Sequence, residues 1–110
     1  MMPIIWDEIN SFLDSNALFD SAIRSMRSYV RNDHQEDERQ FLDDFRADLD
    51  GVLNTYHFEN AGISFSRDFC RELNYISVWI RIEDPDGDYV GTYTLFLDEQ
   101  LNTIDDQIKC

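Results

Sequence analysis

Lysine is almost missing from this chain. Lys109 is the only one, and together with arginine it makes nine basic residues against 23 acidic ones, a net charge of -14. A field of that sign repels nucleic acid and anionic lipid, so neither is expected as a partner, and it attracts basic proteins. Glycine is also scarce, at four residues, and none lies in a phosphate-cradling loop, which argues against nucleotide binding and any such cofactor. The two prolines, Pro3 and Pro85, leave no linker, and there is no repeat or low-complexity segment. The two cysteines, Cys70 and Cys110, are too few for a disulfide framework. Free thiols suit a reducing compartment, with Cys110 expected in solvent and Cys70 in an apolar setting. The two histidines, His34 and His57, have no second histidine or cysteine at ligand spacing, so zinc is not expected. No apolar run approaches the roughly 18 residues of a membrane span. The opening MMPIIWDEIN has no basic region, and Asp7 and Glu8 interrupt its apolar run, so it does not read as a signal peptide. The expectation is a cytoplasmic protein of a bacterial or phage-infected cell.

What is present suits a folded domain: 43% apolar residues, 14% aromatic, and 110 residues in all. That length holds one modest core without disulfide or metal staples. The acidity is not a tail, because residues 1–60 carry a surplus of eight acids and residues 61–110 a surplus of six. Solubility alone accounts for part of it, although like charges also destabilise a compact state.

The pattern changes once, near Asn60-Ala61-Gly62, from helical to strand period. Pro3 suits the first turn of a helix whose apolar face is Ile5, Ile9, Phe12 and Leu13, with Trp6 beside them. Ser15 or Asn16 is placed to cap a second helix with the stripe Leu18, Ala22, Met26 and Tyr29, flanked by Phe19, Ile23 and Val30. The polar stretch Arg31 to Glu36 reads as a separator before a third and longest helix, traced by Phe41, Phe45, Leu49, Val52 and Tyr56. Gly51 costs about 1 kcal/mol of helix propensity and marks a kink or an early end. The expected architecture is therefore α+β: three N-terminal helices in residues 1–58, packed on an antiparallel meander of three to four strands in residues 62–108.

Ile63, Phe65 and Phe69 suggest a first strand, and Ile76, Val78, Ile80 and Ile82 give the clearest one. Asp84-Pro85-Asp86-Gly87 then turns the chain into a strand over residues 88–98, and Leu101 to Ile108 supplies an edge strand. Pro85, with φ near about -65°, does not fit a type I′ turn; a type I turn with Gly87 in the left-handed position sets Asp84 opposite Asp88. Continued without interruption, that pairing places Trp79 opposite Tyr93 on one face and Ile82, Ile80 and Val78 opposite Val90, Thr92 and Thr94 on the other. Both faces then carry apolar residues. Either helices wrap both, or the Trp79–Tyr93 face is open to a partner or to a second copy of the chain. A slip of one residue would exchange the faces of residues 89–97.

No constellation supports catalysis. There is no nucleophile-elbow motif, Cys70 between Phe69 and Arg71 reads as structural, and a chance pair among so many carboxylates carries no weight. Asp84, Asp86 and Asp88 do not make a calcium loop, because Pro85 breaks the pattern and its twelfth position is Leu95. Arg24, Arg27 and Arg31 share one helix face and are expected to pair with nearby acids. The arrangement of acids is more telling. On a single long third helix, Glu36, Asp43 and Asp50 would project opposite the apolar stripe, with Asp37, Asp44 and Asp48 in a second row. Seven residues advance a helix by about 10.5 Å, giving two rails of carboxylate. Asp84, Asp86 and Asp88 add a cluster at one turn, and Trp79, Tyr89 and Tyr93 are candidate aromatic anchors for a partner.

Residues 75–108, YISVWIRIEDPDGDYVGTYTLFLDEQLNTIDDQI, combine a strand, a tight turn, a G-x-Y-x-L strand and an acidic ending. Gly91, Tyr93 and Leu95 supply the strand motif, and Leu101, Asn102, Ile104, Asp105 and Asp106 the ending. This third of the chain resembles the C-terminal half of small immunity proteins of bacterial polymorphic-toxin systems, including those of contact-dependent growth inhibition. The resemblance implies a cytosolic antitoxin that binds a cognate toxin domain, often a basic nuclease, and blocks its active site or substrate groove. Two alternatives share parts of the pattern. A nucleic-acid mimic of the anti-restriction or anti-CRISPR kind would use the same charge on another target, and a secretion chaperone would bind through apolar grooves and dimerise.

Overall fold

The computed structural model describes residues 6–110, so the expectations for Pro3 and Ile5 lie outside the described residues. Four helices precede four strands: α1 (Trp6–Asn16), α2 (Leu18–Glu36), α3 (Glu38–Phe45), α4 (Leu49–Thr55), β1 (Ala61–Asp68), β2 (Leu73–Glu83), β3 (Tyr89–Leu97) and β4 (Thr103–Lys109). The strands form one antiparallel sheet in the order β1-β2-β3-β4. This is the α+β architecture the sequence leads one to expect, with two corrections among the helices and one in the sheet.

The first correction concerns α2, which is the longest helix and runs through the polar stretch 31–36. Its buried stripe is Leu18, Ala22, Met26 and Val30, at the spacing of one helix face. Neither Ser15 nor Asn16 caps it. Ala17 takes the cap position in left-handed geometry (φ 49°), while the Asn16 side chain donates back to the Phe12 carbonyl at 2.9 Å.

The second correction is that the expected long third helix is two short ones. Arg46, at φ 60°, ends α3, and Asp48 opens α4 by accepting the Gly51 N–H at 2.7 Å. The break thus lies ahead of Gly51, at a residue that competes for backbone N–H groups. Asp37 does the same for α3, accepting from the Gln40 N–H at 3.0 Å. Phe41, Phe45 and Val52 are buried despite the break, and the Tyr56 hydroxyl ties the two helices by donating to the Phe45 carbonyl.

The sheet carries the third correction. The turn itself forms as expected: the Gly87 N–H donates to the Asp84 carbonyl and the Asp84 N–H to the Asp88 carbonyl, both at 2.9 Å, with Gly87 at φ 87°. Beyond it, Glu83 opposes Tyr89 but Ile82 opposes Gly91, so Val90 is an extra residue in β3. The strand slips by one, and Ile80 faces Tyr93, Val78 faces Leu95 and Ile76 faces Leu97. These residues share the core with the buried stripes of α2, α3 and α4. On the other face Tyr75, Ser77, Trp79, Arg81, Thr92, Thr94 and Phe96 are half-buried, and among the described residues no helix covers them. Trp79 lies over Gly62, where any Cβ would overlap the indole.

Because Asp37 and Asp48 each satisfy a helix N-terminus, replacing either by alanine should lower the unfolding free energy by about 0.5–2 kcal/mol. Urea unfolding checks this. An equal replacement at Asp43, which caps nothing, serves as the reference.

Candidate functional site

Along α2, Ser25, Ser28, Asn32, Asp33 and Glu36 fall at helical spacing and line one wall of a groove of about 530 Å³. The opposite wall is β4, which contributes Asp106. Asp106 lies opposite Leu95, and the Tyr93 hydroxyl donates to its Oδ2 at 2.9 Å. Burial, and then the bond to that carboxylate, push the Tyr93 hydroxyl well above its ordinary pKa, so it remains a donor throughout the physiological range.

Acids from a third element join them. The Asp33 carboxyl titrates above its ordinary value of 3.8, first because it is partly desolvated and then because Asp44, Glu36 and Asp37 press on it. The Cys110 thiol at the end of the sheet is raised by burial and then by Asp44 and Asp33. The last turn of α2, the start and end of α3 and the edge strand β4 thus bring their carboxylates to one region. Among the described residues no arginine or lysine is paired with them. Arg24, which reaches the groove, donates to the Ser21 hydroxyl at 3.5 Å. The expected pairing of Arg24, Arg27 and Arg31 with nearby acids is not found among the described residues. The arginine–carboxylate pairs are Arg71–Asp68 at 3.7 Å and Arg81–Glu83 at 3.1 Å. Nor do the acids converge on a point: among the described residues no three His, Cys, Asp or Glu side chains are grouped to hold a metal ion.

The residues singled out from the sequence separate into groups. Glu36 lines the groove, and Asp37 and Asp44 lie near enough to raise the Asp33 carboxyl beside it. Asp43 stays exposed on α3, and Asp48 and Asp50 belong to the first turn of α4, so the two continuous rails do not exist. Asp84 is largely occupied by its own turn, its Oδ1 accepting the N–H groups of Asp86 and Asp88 at 2.9 Å each. Asp86 and Asp88 are exposed at the tip. Trp79 is on the face without helices, the second of the two alternatives the sequence leaves, and its neighbour is Thr94 and not Tyr93. Tyr93 is fully buried and is excluded as a surface anchor. Tyr89 is exposed beside the open face, with the Arg81 guanidinium 4.5 Å from its ring centroid and its hydroxyl 3.0 Å from that of Thr92. Cys70, expected in an apolar setting, is exposed in the β1–β2 turn.

Asp33 is not among the residues the sequence points to, and Asp106 stands out there only as part of the acidic ending, not as a site residue. Asp33 sits in the stretch that reads as a separator, and only the helical continuation of α2 turns it toward the groove. Asp106 faces inward because a second irregularity, between Phe96 and Leu97, leaves Ile104 unpaired in β4. Comparison of the chain with protein-family models, with curated proteins and with solved structures returns no match.

A raised carboxyl pKa means that the folded state holds the Asp33 proton more tightly than the unfolded chain does. Its contribution to stability is therefore fullest below the ordinary aspartate range and is lost as pH rises to the folded value. Asp33→Asn should stabilise the protein at neutral pH, and the gain should vanish below pH 3.8, as followed by urea unfolding at several pH values.

Proposed function

We propose that this protein is an inhibitor that binds a basic toxin domain through the carboxylates of the α2–α3–β4 groove.

 Three features of the molecule support it. Asp44, Glu36 and Asp37 press on the partly desolvated Asp33 beside the groove that Asp106 also lines, and among the described residues none of these acids is ion-paired to an arginine or lysine, at a cost to the free protein that a cationic partner would offset. The surplus charge of -14 favours encounter with a basic surface, with association rates raised by about 10- to 1000-fold at low salt. The acidic ending that carries the resemblance to toxin-immunity proteins, Leu101 to Asp106, is also the segment that supplies Asp106 to the groove. In this reading Asp33, Glu36, Asp44 and Asp106 occupy the positive surface where a nuclease toxin takes phosphate. The mutual crowding of Asp33, Glu36 and Asp44 is the observation that carries it.

The test is capture of partners from the producing strain at low salt, identification by mass spectrometry, and co-expression of the protein with the captured toxin. The expected partner is basic, its toxicity is suppressed by co-expression, and it is released toward about 1 M salt, where the screening length falls to about 3 Å. Replacing Asp33, Glu36 and Asp44 together by their amides should weaken binding at least tenfold, whereas Asp86→Asn with Asp88→Asn should not. Unchanged affinity after the groove replacements, or a partner held equally at high salt, would overturn the reading.

A further inference from the structure

The two edges of the sheet are built differently. β4 carries Asp105, Asp106 and Lys109 and is interrupted at Ile104, all features that discourage a further strand. β1 carries none of them before its last residue, Asp68. It pairs with β2 without interruption over eight residues, and residues 60–67 contain no proline, no lysine and no acid.

The hydrogen-bonding phase of β1 is fixed by its inner neighbour. The Arg81 N–H donates to the Asn60 carbonyl at 2.8 Å, and the same register runs on from Ala61–Ile80 to Asp68–Leu73. Alternation then turns the backbone groups of Gly62, Ser64 and Ser66 toward β2 and those of Ala61, Ile63, Phe65 and Arg67 away from it. Apolar surface follows these outward groups. Phe65 is 62% exposed, its ring centroid 6.3 Å from that of Phe12 in α1. α1 itself buries no residue, and Phe19, Ile23, Phe58 and Ala61 line an open recess of about 340 Å³ beside the strand.

We propose that β1 is completed by a second copy of this chain, pairing antiparallel across a twofold axis to make one eight-stranded sheet. A twofold axis normal to the sheet keeps every side chain on its own face. Directly opposed residues must then be both odd or both even in number, and the hydrogen-bonded rungs must come from the outward set. Centring the axis on Ser64 meets both conditions. Ile63 then opposes the partner's Phe65, Ala61 the partner's Arg67, and Gly62 the partner's Ser66. Arg67 comes alongside the partner's Glu59, an ion pair made twice by symmetry, and no rung sets like charges together. The acid-free stretch makes this the edge where two copies of charge -14 approach with least repulsion.

This dimer does not rest on the inhibitor reading, and its salt dependence has the opposite sign: screening should strengthen it and weaken binding to a basic partner. Sedimentation velocity of the full chain should show a monomer–dimer equilibrium whose dimer fraction rises with salt. In a Cys70→Ser, Cys110→Ser background, Ser64→Cys should form a covalent dimer on mild oxidation. Non-hydrogen-bonded opposed Cα atoms lie about 4.5 Å apart, within disulfide reach. Ser66→Cys, opposite Gly62, should not. Phe65→Lys should leave a monomer with an unchanged circular dichroism spectrum. A monomer at every concentration and salt, an undiminished Phe65→Lys dimer, or cross-linking at position 66 in place of 64 would each overturn the proposal.

Discussion

The extra residue at Val90 shifts β3 by one position against β2, and that shift decides which side chains meet the helices. With it, Tyr93, Leu95 and Leu97 join Ile76, Val78, Ile80 and Ile82 on the face covered by α2, α3 and α4. Each such side chain contributes about 1.5–3 kcal/mol when fully buried. Without it, Thr92 and Thr94 would enter the core with hydroxyls in need of partners, and Tyr93 would lose the position from which it holds Asp106. The core and the groove thus depend on one irregular pair of residues at the mouth of a hairpin.

That irregularity is the part of the fold least legible in the sequence. The α2 stripe, the alternation of β2 and the turn at Asp84–Gly87 are local patterns, set by side-chain period and turn chemistry, and they are found where the sequence places them. Strand β3 has apolar residues in both parities, Tyr93, Leu95 and Leu97 in one and Val90 and Phe96 in the other, so alternation does not choose its face. The break between α3 and α4 is hidden for a related reason. Phe41, Phe45, Leu49 and Val52 keep helical spacing across it, and only the capping preference of Asp48 signals a stop. Part of the candidate site was legible, since Glu36, Asp37 and Asp44 do come together. Asp33 and Asp106 complete the groove through contacts between α2 and β4, which no local pattern encodes.

The acids do not all do one thing. Asp37 and Asp48 cap helices. Asp84 and Asp98 each accept two backbone N–H groups in the two tight turns that flank β3, and Leu101, at φ 66°, takes the place in the second turn that Gly87 takes in the first. These carboxylates are accounted for by local structure. The acids at the groove are less so: Asp106 accepts from Tyr93 and Asp44 from the Gln40 side chain, each at 2.9 Å, while Asp44 and Glu36 press on Asp33. Repulsion kept in a folded protein is unfavourable for that protein alone, and this sets the groove apart from acidity that serves solubility.

The strand order places the two unusual edges as far apart as the sheet allows, β4 beside the acidic groove and β1 on the opposite side. The same residues that make β4 acidic also deter strand addition there, because an incoming backbone would have to pass Asp105 and Asp106. Keeping acids out of β1 up to its last residue, Asp68, has the reverse effect, leaving outward hydrogen-bonding groups beside exposed Phe65. For the two proposed contacts, a single distribution of charge favours long-range attraction of cations at one edge and short-range backbone pairing at the other. Occupying β1 would leave the groove open, so the two contacts can form on one molecule at the same time.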